Sequence, residues 1–71
     1  DVMEFQPDLG SLITQKPIKD LDFPKDSIVG MINHNGNIRI AQGSSQLTPD
    51  DTALVFTKPH SINKLKKMFG A

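Results

Sequence analysis

Histidine and aspartate are the residues of this chain whose chemistry suits catalysis or metal binding. His34 lies in the segment NHNGN, and Asp50–Asp51 is a pair of adjacent acids. A histidine can ligate a metal, act as a general base or contact a ligand, but the first two roles need a second group nearby. No acid lies at metal-ligand spacing from His34 or from His60. We therefore predict no catalytic residue and no metal site.

Other motifs of enzymes are missing from the sequence. It contains no glycine-rich phosphate loop, no nucleophile motif and no carboxylate pair flanked by a histidine. Asp50–Asp51 follows Pro49, which is typical of a turn. The chain also has no cysteine, which excludes disulfides and thiolate metal sites and fits a reducing cytoplasm. We predict that this chain is not an enzyme.

Length and charge restrict the possible classes of function. A chain of 71 residues forms one domain and buries only about 60% of the surface that its unfolded form exposes. Association with a partner would supply the missing stability. The 8 basic and 8 acidic residues cancel, which disfavours a nucleic-acid binder, and no apolar segment is long enough to insert in a membrane. The chain begins at Asp1, and we expect it to be a fragment of a longer protein.

Hydrophobic patterning predicts an α+β fold with a small, mostly antiparallel sheet. Asn35–Gly36 separates two strand patterns and is the strongest short-range signal for a hairpin, because both residues tolerate a positive φ. His34 is then a residue at the shoulder of this hairpin, with its ring at or near solvent. The apolar segment Ser27–Ile32 is typical of a strand that is covered on both faces. The predicted elements are strands near 2–6, 27–33, 37–41 and 52–57, a short helix near 16–21 and a C-terminal helix near 60–69.

Three segments together resemble a known family. They are KPIKDLDFPKDSIVGMI, LTPDDTALVF and INKLKKMF, at residues 16–32, 47–56 and 62–69. In this order they resemble the TrkA C-terminal domain, also called the RCK C-terminal domain, of bacterial TrkA-type potassium uptake regulators. The resemblance covers nearly the whole chain, so residues 1–71 are expected to form one such regulatory domain.

The resemblance implies a function that the residues alone do not reveal. Such domains form dimers, and they usually follow a Rossmann-type domain, absent from this sequence, that binds NAD(H) or ATP. The full-length proteins are cytoplasmic, lie at the inner face of the plasma membrane and act on a membrane potassium transporter. In some relatives the cleft between paired domains binds cyclic di-AMP, and an arginine helps to hold its phosphate. Here that place falls at Asn33 or His34, and a neutral histidine binds an anion more weakly.

Two sets of residues follow from this resemblance and from the apolar pattern of the central strands. The candidate ligand contacts are Ile28, Val29, Asn33, His34 and Arg39. The candidate dimer contacts are Val29, Met31, Ile32, Ile38 and Ile40. Two alternatives remain open: the same module attached to a cation/proton antiporter or a dicarboxylate carrier, and a small nucleic-acid binder that uses Arg39 and the terminal lysines.

Overall fold

The computed structural model describes residues 1–70 and shows the predicted α+β architecture. Four antiparallel strands form one sheet in the order β1-β4-β2-β3, and one α-helix follows the last strand. The strands are β1 (Val2–Phe5), β2 (Ser27–His34), β3 (Asn37–Ile40) and β4 (Asp51–Thr57), and the helix is α1 (Ile62–Met68).

The β2–β3 hairpin confirms the turn that the sequence predicts. Asn35 and Gly36 have φ values of 51° and 88°, as a tight two-residue turn of the I′ type requires. The Gly36 backbone N–H donates to Asn33 Oδ1 at 2.9 Å, which adds a side-chain bond to the turn. Local chemistry thus brings β2 and β3 together and determines their register.

Short 3₁₀ turns replace part of the predicted helical structure. Residues 16–21 form only the turn Ile18–Asp20, which begins after Pro17, and a second turn that the sequence did not predict spans Leu12–Thr14. The C-terminal helix opens with the 3₁₀ turn Pro59–Ser61 and then continues as α1. Proline explains both starts, because its fixed φ suits the first helical positions.

One face of the sheet packs against α1 and the segment before β2. Phe5 on β1 stacks on Phe69 at the end of α1, with ring centroids 4.7 Å apart and an interplanar angle of 16°. Phe69 is buried and Phe5 is partly buried, and each fully buried apolar side chain of the core contributes about 1.5–3 kcal/mol to the transfer free energy of folding. The core consists of Ile13, Val29, Ile32, Leu47, Ala53, Val55, Leu65, Met68 and Phe69.

A β-bulge at Gly30 determines which residues of β2 reach this core. Val29 pairs with Val55, whereas Met31 pairs with Leu54, so Gly30 has no partner in the register. The extra residue places Val29 and Ile32 on the core side of the sheet and Met31 on the opposite side.

The fold therefore removes two residues from the predicted set of dimer contacts. Ile32 is fully buried and Val29 is 6% exposed within a single chain, so neither side chain is available to a dimer partner. Within a single chain only the core side of β2 is covered, because Ile28 and Met31 are exposed on its other side. Met31, Ile38 and Ile40 remain as candidate dimer contacts.

Candidate functional site

The side of the sheet opposite the helix is uncovered, and we call it the open face. Residues alternate along β4, where Ala53 and Val55 point into the core and Leu54 and Phe56 point away from it. The strand register extends this assignment across the sheet. The open face consists of Val2, Glu4, Ile28, Met31, Asn33, Ile38, Ile40, Thr52, Leu54 and Phe56.

The open face is apolar over most of its extent. Ile28, Ile38 and Ile40 are 64%, 62% and 76% exposed, values unusual for branched aliphatic side chains. Its polar groups gather at one end, where Glu4, Asn33 and Thr52 line a hollow of about 140 Å³. A contiguous apolar surface with a polar rim is typical of a protein interaction site.

Close packing against Gly30 holds the aromatic ring of this face. A Cβ atom added at Gly30 would overlap the ring of Phe56, so the ring lies directly over the bulge. A glycine in a strand often marks such a close approach. Phe56 is nevertheless 42% exposed and remains part of the surface.

Replacing Gly30 with alanine is expected to displace the Phe56 ring while the core stays intact. The new methyl group and the ring cannot occupy the same space, so the ring moves aside and loses its packing on the bulge. Because the ring is 42% exposed, the cost should lie at or below the lower end of the about 1–3 kcal/mol that overpacking of a closed core costs. Urea unfolding measures this cost, and NMR shifts of the ring report the displacement. In a Phe56→Ala background the same glycine substitution should cost little; an undiminished cost there would contradict the ring-on-glycine packing.

A groove lies beside the open face, between the segment before β2 and the segment after β3. It has a volume of about 330 Å³, and Ile28, Val29, Phe23 and Ala41 form much of its wall. Lys25 is the charged residue among its lining residues. An apolar groove with one cation suits a ligand that carries a flat apolar group and an anionic group.

The predicted ligand contacts do not meet in this groove. Ile28 and Val29 line it, but Asn33 and His34 lie near the other end of β2, about 13–20 Å along the strand. Arg39 is opposite Ile32 in the register and so lies on the other face of the sheet from the open face.

His34 instead forms a hydrogen-bonded pair with an acid of β4. Its Nδ1 lies 2.6 Å from Asp51 Oδ1, and the side chain is 43% exposed as predicted, whereas that of Asp51 is 1% exposed. Asp51 Oδ2 accepts the backbone N–H of Thr48 at 2.8 Å. The sequence prediction recognised the turn at Asp51 but missed its pairing with His34, because a separation of 17 positions leaves no local signal.

The environment of Asp51 keeps its carboxylate ionised. Burial by itself would raise the pKa, but hydrogen bonds from the Thr48 backbone, His34 and the Thr48 hydroxyl, with the charge of His34, outweigh it. The pKa of Asp51 is accordingly lower than its ordinary value. The pair joins the β2–β3 hairpin to the start of β4.

The second histidine forms a more exposed pair. His60 Nε2 lies 2.5 Å from Asp26 Oδ2, and the two side chains are 66% and 43% exposed. This pair links the turn before α1 to the loop before β2. Within the described residues, no three side chains of histidine, cysteine, aspartate or glutamate gather as a metal site.

Comparison with known proteins gives the family of this fold. A family model described as the TrkA-C domain matches residues 2–70. The chain belongs to the TrkA-C domain family. A solved structure described as "Structure of RCK domain with cda" shares the fold with a TM-score of 0.79 and 21% identity, and the alignment covers 94% of both chains.

Curated relatives of this TrkA-C domain are potassium uptake proteins of archaea. A "Trk system potassium uptake protein TrkA homolog" from Pyrococcus horikoshii is 29% identical over 69 residues, which are 96% of this chain and 30% of that protein. A protein of the same name from Archaeoglobus fulgidus is 37% identical over 54 residues, 76% of this chain and 12% of that protein. The chain thus spans less than a third of the length of either relative. No helix among residues 1–70 has the length and apolar character needed to cross a membrane.

Proposed function

We propose that this TrkA-C domain is a non-catalytic, dimerising regulatory module of the peripheral subunit of a Trk-type potassium uptake system. The full-length protein would lie at the cytoplasmic face of the plasma membrane and control transport through a membrane subunit. The names of the curated relatives support the Trk system over an antiporter or a dicarboxylate carrier. A nucleotide such as NAD(H) or ATP would bind outside this domain, in another part of the longer protein.

The open face is the observation that supports dimerisation. Four strands at spacings of about 4.8 Å, and up to eight residues long, give a face of roughly 20 by 25 Å. The outer strands are only four residues long, so the projected area is below the roughly 500 Å² of that rectangle, and a contact of the roughly 800 Å² that each partner of a stable dimer buries would extend beyond the open face. A domain of 71 residues has a small core, so covering this apolar face with a second copy would add substantially to its stability.

A second copy fits this face better than a charged partner does. A symmetric dimer brings identical patches together, and in the described chain the open face carries only one ionisable side chain. Met31, Ile38 and Ile40 lie at its centre and at its β3 edge, where an isologous contact would bury them. The groove beside Ile28 continues the open face, so a dimer would enclose it. A ligand bound in the groove would then contact the dimer interface and affect how the two copies pack.

The chemistry of the groove sets the class of ligand that we propose. Its apolar walls suit a purine base, and Lys25 can contact one phosphate. Cyclic di-AMP would match this description only in part, since Asn33 and His34 stand where some relatives have an arginine. The ligand role therefore belongs to Ile28 and Val29 rather than to all five predicted contacts.

Self-association of the isolated domain tests this proposal. Sedimentation equilibrium should show a monomer–dimer equilibrium, and Ile40→Asp should weaken dimerisation at least tenfold, because it places a desolvated anion in the contact. Leu9→Asp is the matched control, since Leu9 is 90% exposed and lies outside the open face. A chain that stays monomeric at millimolar concentration, or a Leu9→Asp variant as defective as Ile40→Asp, would contradict dimerisation through this face.

A further inference from the structure

Glu4 is the single ionisable residue of the open face as the structure describes it. It lies on β1 opposite Leu54 in the register and lines the same hollow as Met31, Asn33, Ile38 and Thr52. The hollow is about 140 Å³, similar in size to one aliphatic side chain. A partner side chain that fills the hollow would therefore contact the Glu4 side chain and remove water from it.

The neighbours of Glu4 cannot compensate its charge. From β4, the adjacent strand, Leu54 and Thr52 face it, and from β2 the neighbours around the hollow are Met31 and Asn33. None of these side chains is titratable or charged. Asn33 Oδ1 accepts the Gly36 N–H at 2.9 Å, and its Nδ2 group is a neutral donor, which can donate to a carboxylate but does not cancel its charge.

In a two-fold contact that brings the same ends of the two faces together, residues 1–70 of a second copy of the chain would not place a cation on Glu4 either. Lys25 and Lys58 border the Ile28 and Phe56 end of the open face rather than the hollow at Glu4. Arg39 lies on the opposite face of the sheet, so the hollow meets the same apolar and neutral groups and another Glu4. Removing a carboxylate from water without a paired cation costs free energy, and a like charge across the contact adds to the cost.

We propose that Glu4 limits the affinity of self-association through the open face and makes that affinity depend on pH. This inference rests on the dimer proposed above. An ionised Glu4 opposes the contact, while a protonated or neutral side chain can enter it and form a hydrogen bond. The charge thereby keeps association through an otherwise apolar face reversible, and proton uptake at Glu4 favours the dimer.

The expected result is a tighter dimer when the charge is removed. Glu4→Gln should lower the dissociation constant at pH 7.5 by about tenfold or more, equivalent to about 1.4 kcal/mol. Lowering the pH to 5 should tighten the dimer of the unmodified chain and have much less effect on Glu4→Gln. Asp20→Asn is the control, since it removes the same charge from the exposed turn Ile18–Asp20, outside the open face.

Sedimentation equilibrium of the three proteins at both pH values separates the possible outcomes. Equal or weaker dimerisation of Glu4→Gln, with the unmodified chain still dimeric, overturns this inference and leaves the proposed dimer intact. Equal tightening by Asp20→Asn also overturns it, because the effect would then be one of net charge. If all three proteins remain monomeric at millimolar concentration, the proposed dimer and this inference both fail.

Discussion

Replacing Asp51 with alanine is expected to lower the free energy of unfolding by about 2–4 kcal/mol. The substitution removes the acceptor of the Thr48 N–H and the partner of His34 Nδ1 from a site where Asp51 is 1% exposed. A donor left without an acceptor in a buried site retains its full desolvation cost. Domains of this length have a total stability of roughly 4–11 kcal/mol, so the loss is a large fraction of the whole.

Urea unfolding at pH 7 measures this loss. Asp50→Ala is the matched control, because Asp50 precedes Asp51 but is exposed, and surface substitutions of this kind change stability by less than about 0.5 kcal/mol. An Asp51→Ala variant as stable as Asp50→Ala would show that the buried hydrogen bonds do not hold the turn and the hairpin together.

The lowered pKa of Asp51 also predicts how the free energy of unfolding depends on pH. Because the pKa of Asp51 is lower in the folded chain than its ordinary value, its contribution is present above about pH 4 and is lost as pH falls through the folded pKa. The stability difference between the unmodified chain and Asp51→Asn should therefore shrink as the pH falls from 5 to 2. A difference that stays constant over this range would contradict the lowered pKa.

Substituting lysine at two adjacent residues of β2 is expected to affect two different properties, folding in one case and dimerisation in the other. Ile32→Lys should leave the chain unfolded, because Ile32 is fully buried and an unpaired buried charge costs at least about 4 kcal/mol, comparable with the whole stability. Met31→Lys should fold normally, since Met31 is 42% exposed on the open face, so its effect should appear in dimerisation instead.

Circular dichroism and sedimentation together measure the two defects. The first reports whether the sheet and helix form, and the second reports the association of those variants that fold. A folded Ile32→Lys chain would show that the bulge at Gly30 does not direct this side chain into the core. An unfolded Met31→Lys chain would remove Met31 from the set of interface residues.

Elements that depend on neighbours in sequence were predicted correctly. The hairpin turn follows from Asn35–Gly36, because the two residues reach positive φ without help from the rest of the fold. Strand β4 follows from its alternation, and the apolar stripe of α1 gave the buried Leu65 and Met68. Each of these signals lies within a few residues of chain.

Such local signals could not predict which side chains of β2 point into the core. Ile28, Val29, Met31 and Ile32 are all apolar, so their types do not say which of them points to the core. The bulge at Gly30 decides this, and it exists because β2 must match the register of β4, more than twenty residues away. The pairing of His34 with Asp51 depends on the same long-range register.

By itself, the sequence determined the family, the α+β class, the hairpin and the amphipathic helix, because each leaves a pattern in residue types along the chain. Only the tertiary structure decided that one sheet face is open, that Ile32 belongs to the core and that Glu4 lies in a hollow whose other lining residues are uncharged. The physical reason is that burial and electrostatic environment arise from contacts between distant strands, and the geometry of those contacts is not encoded in any short segment.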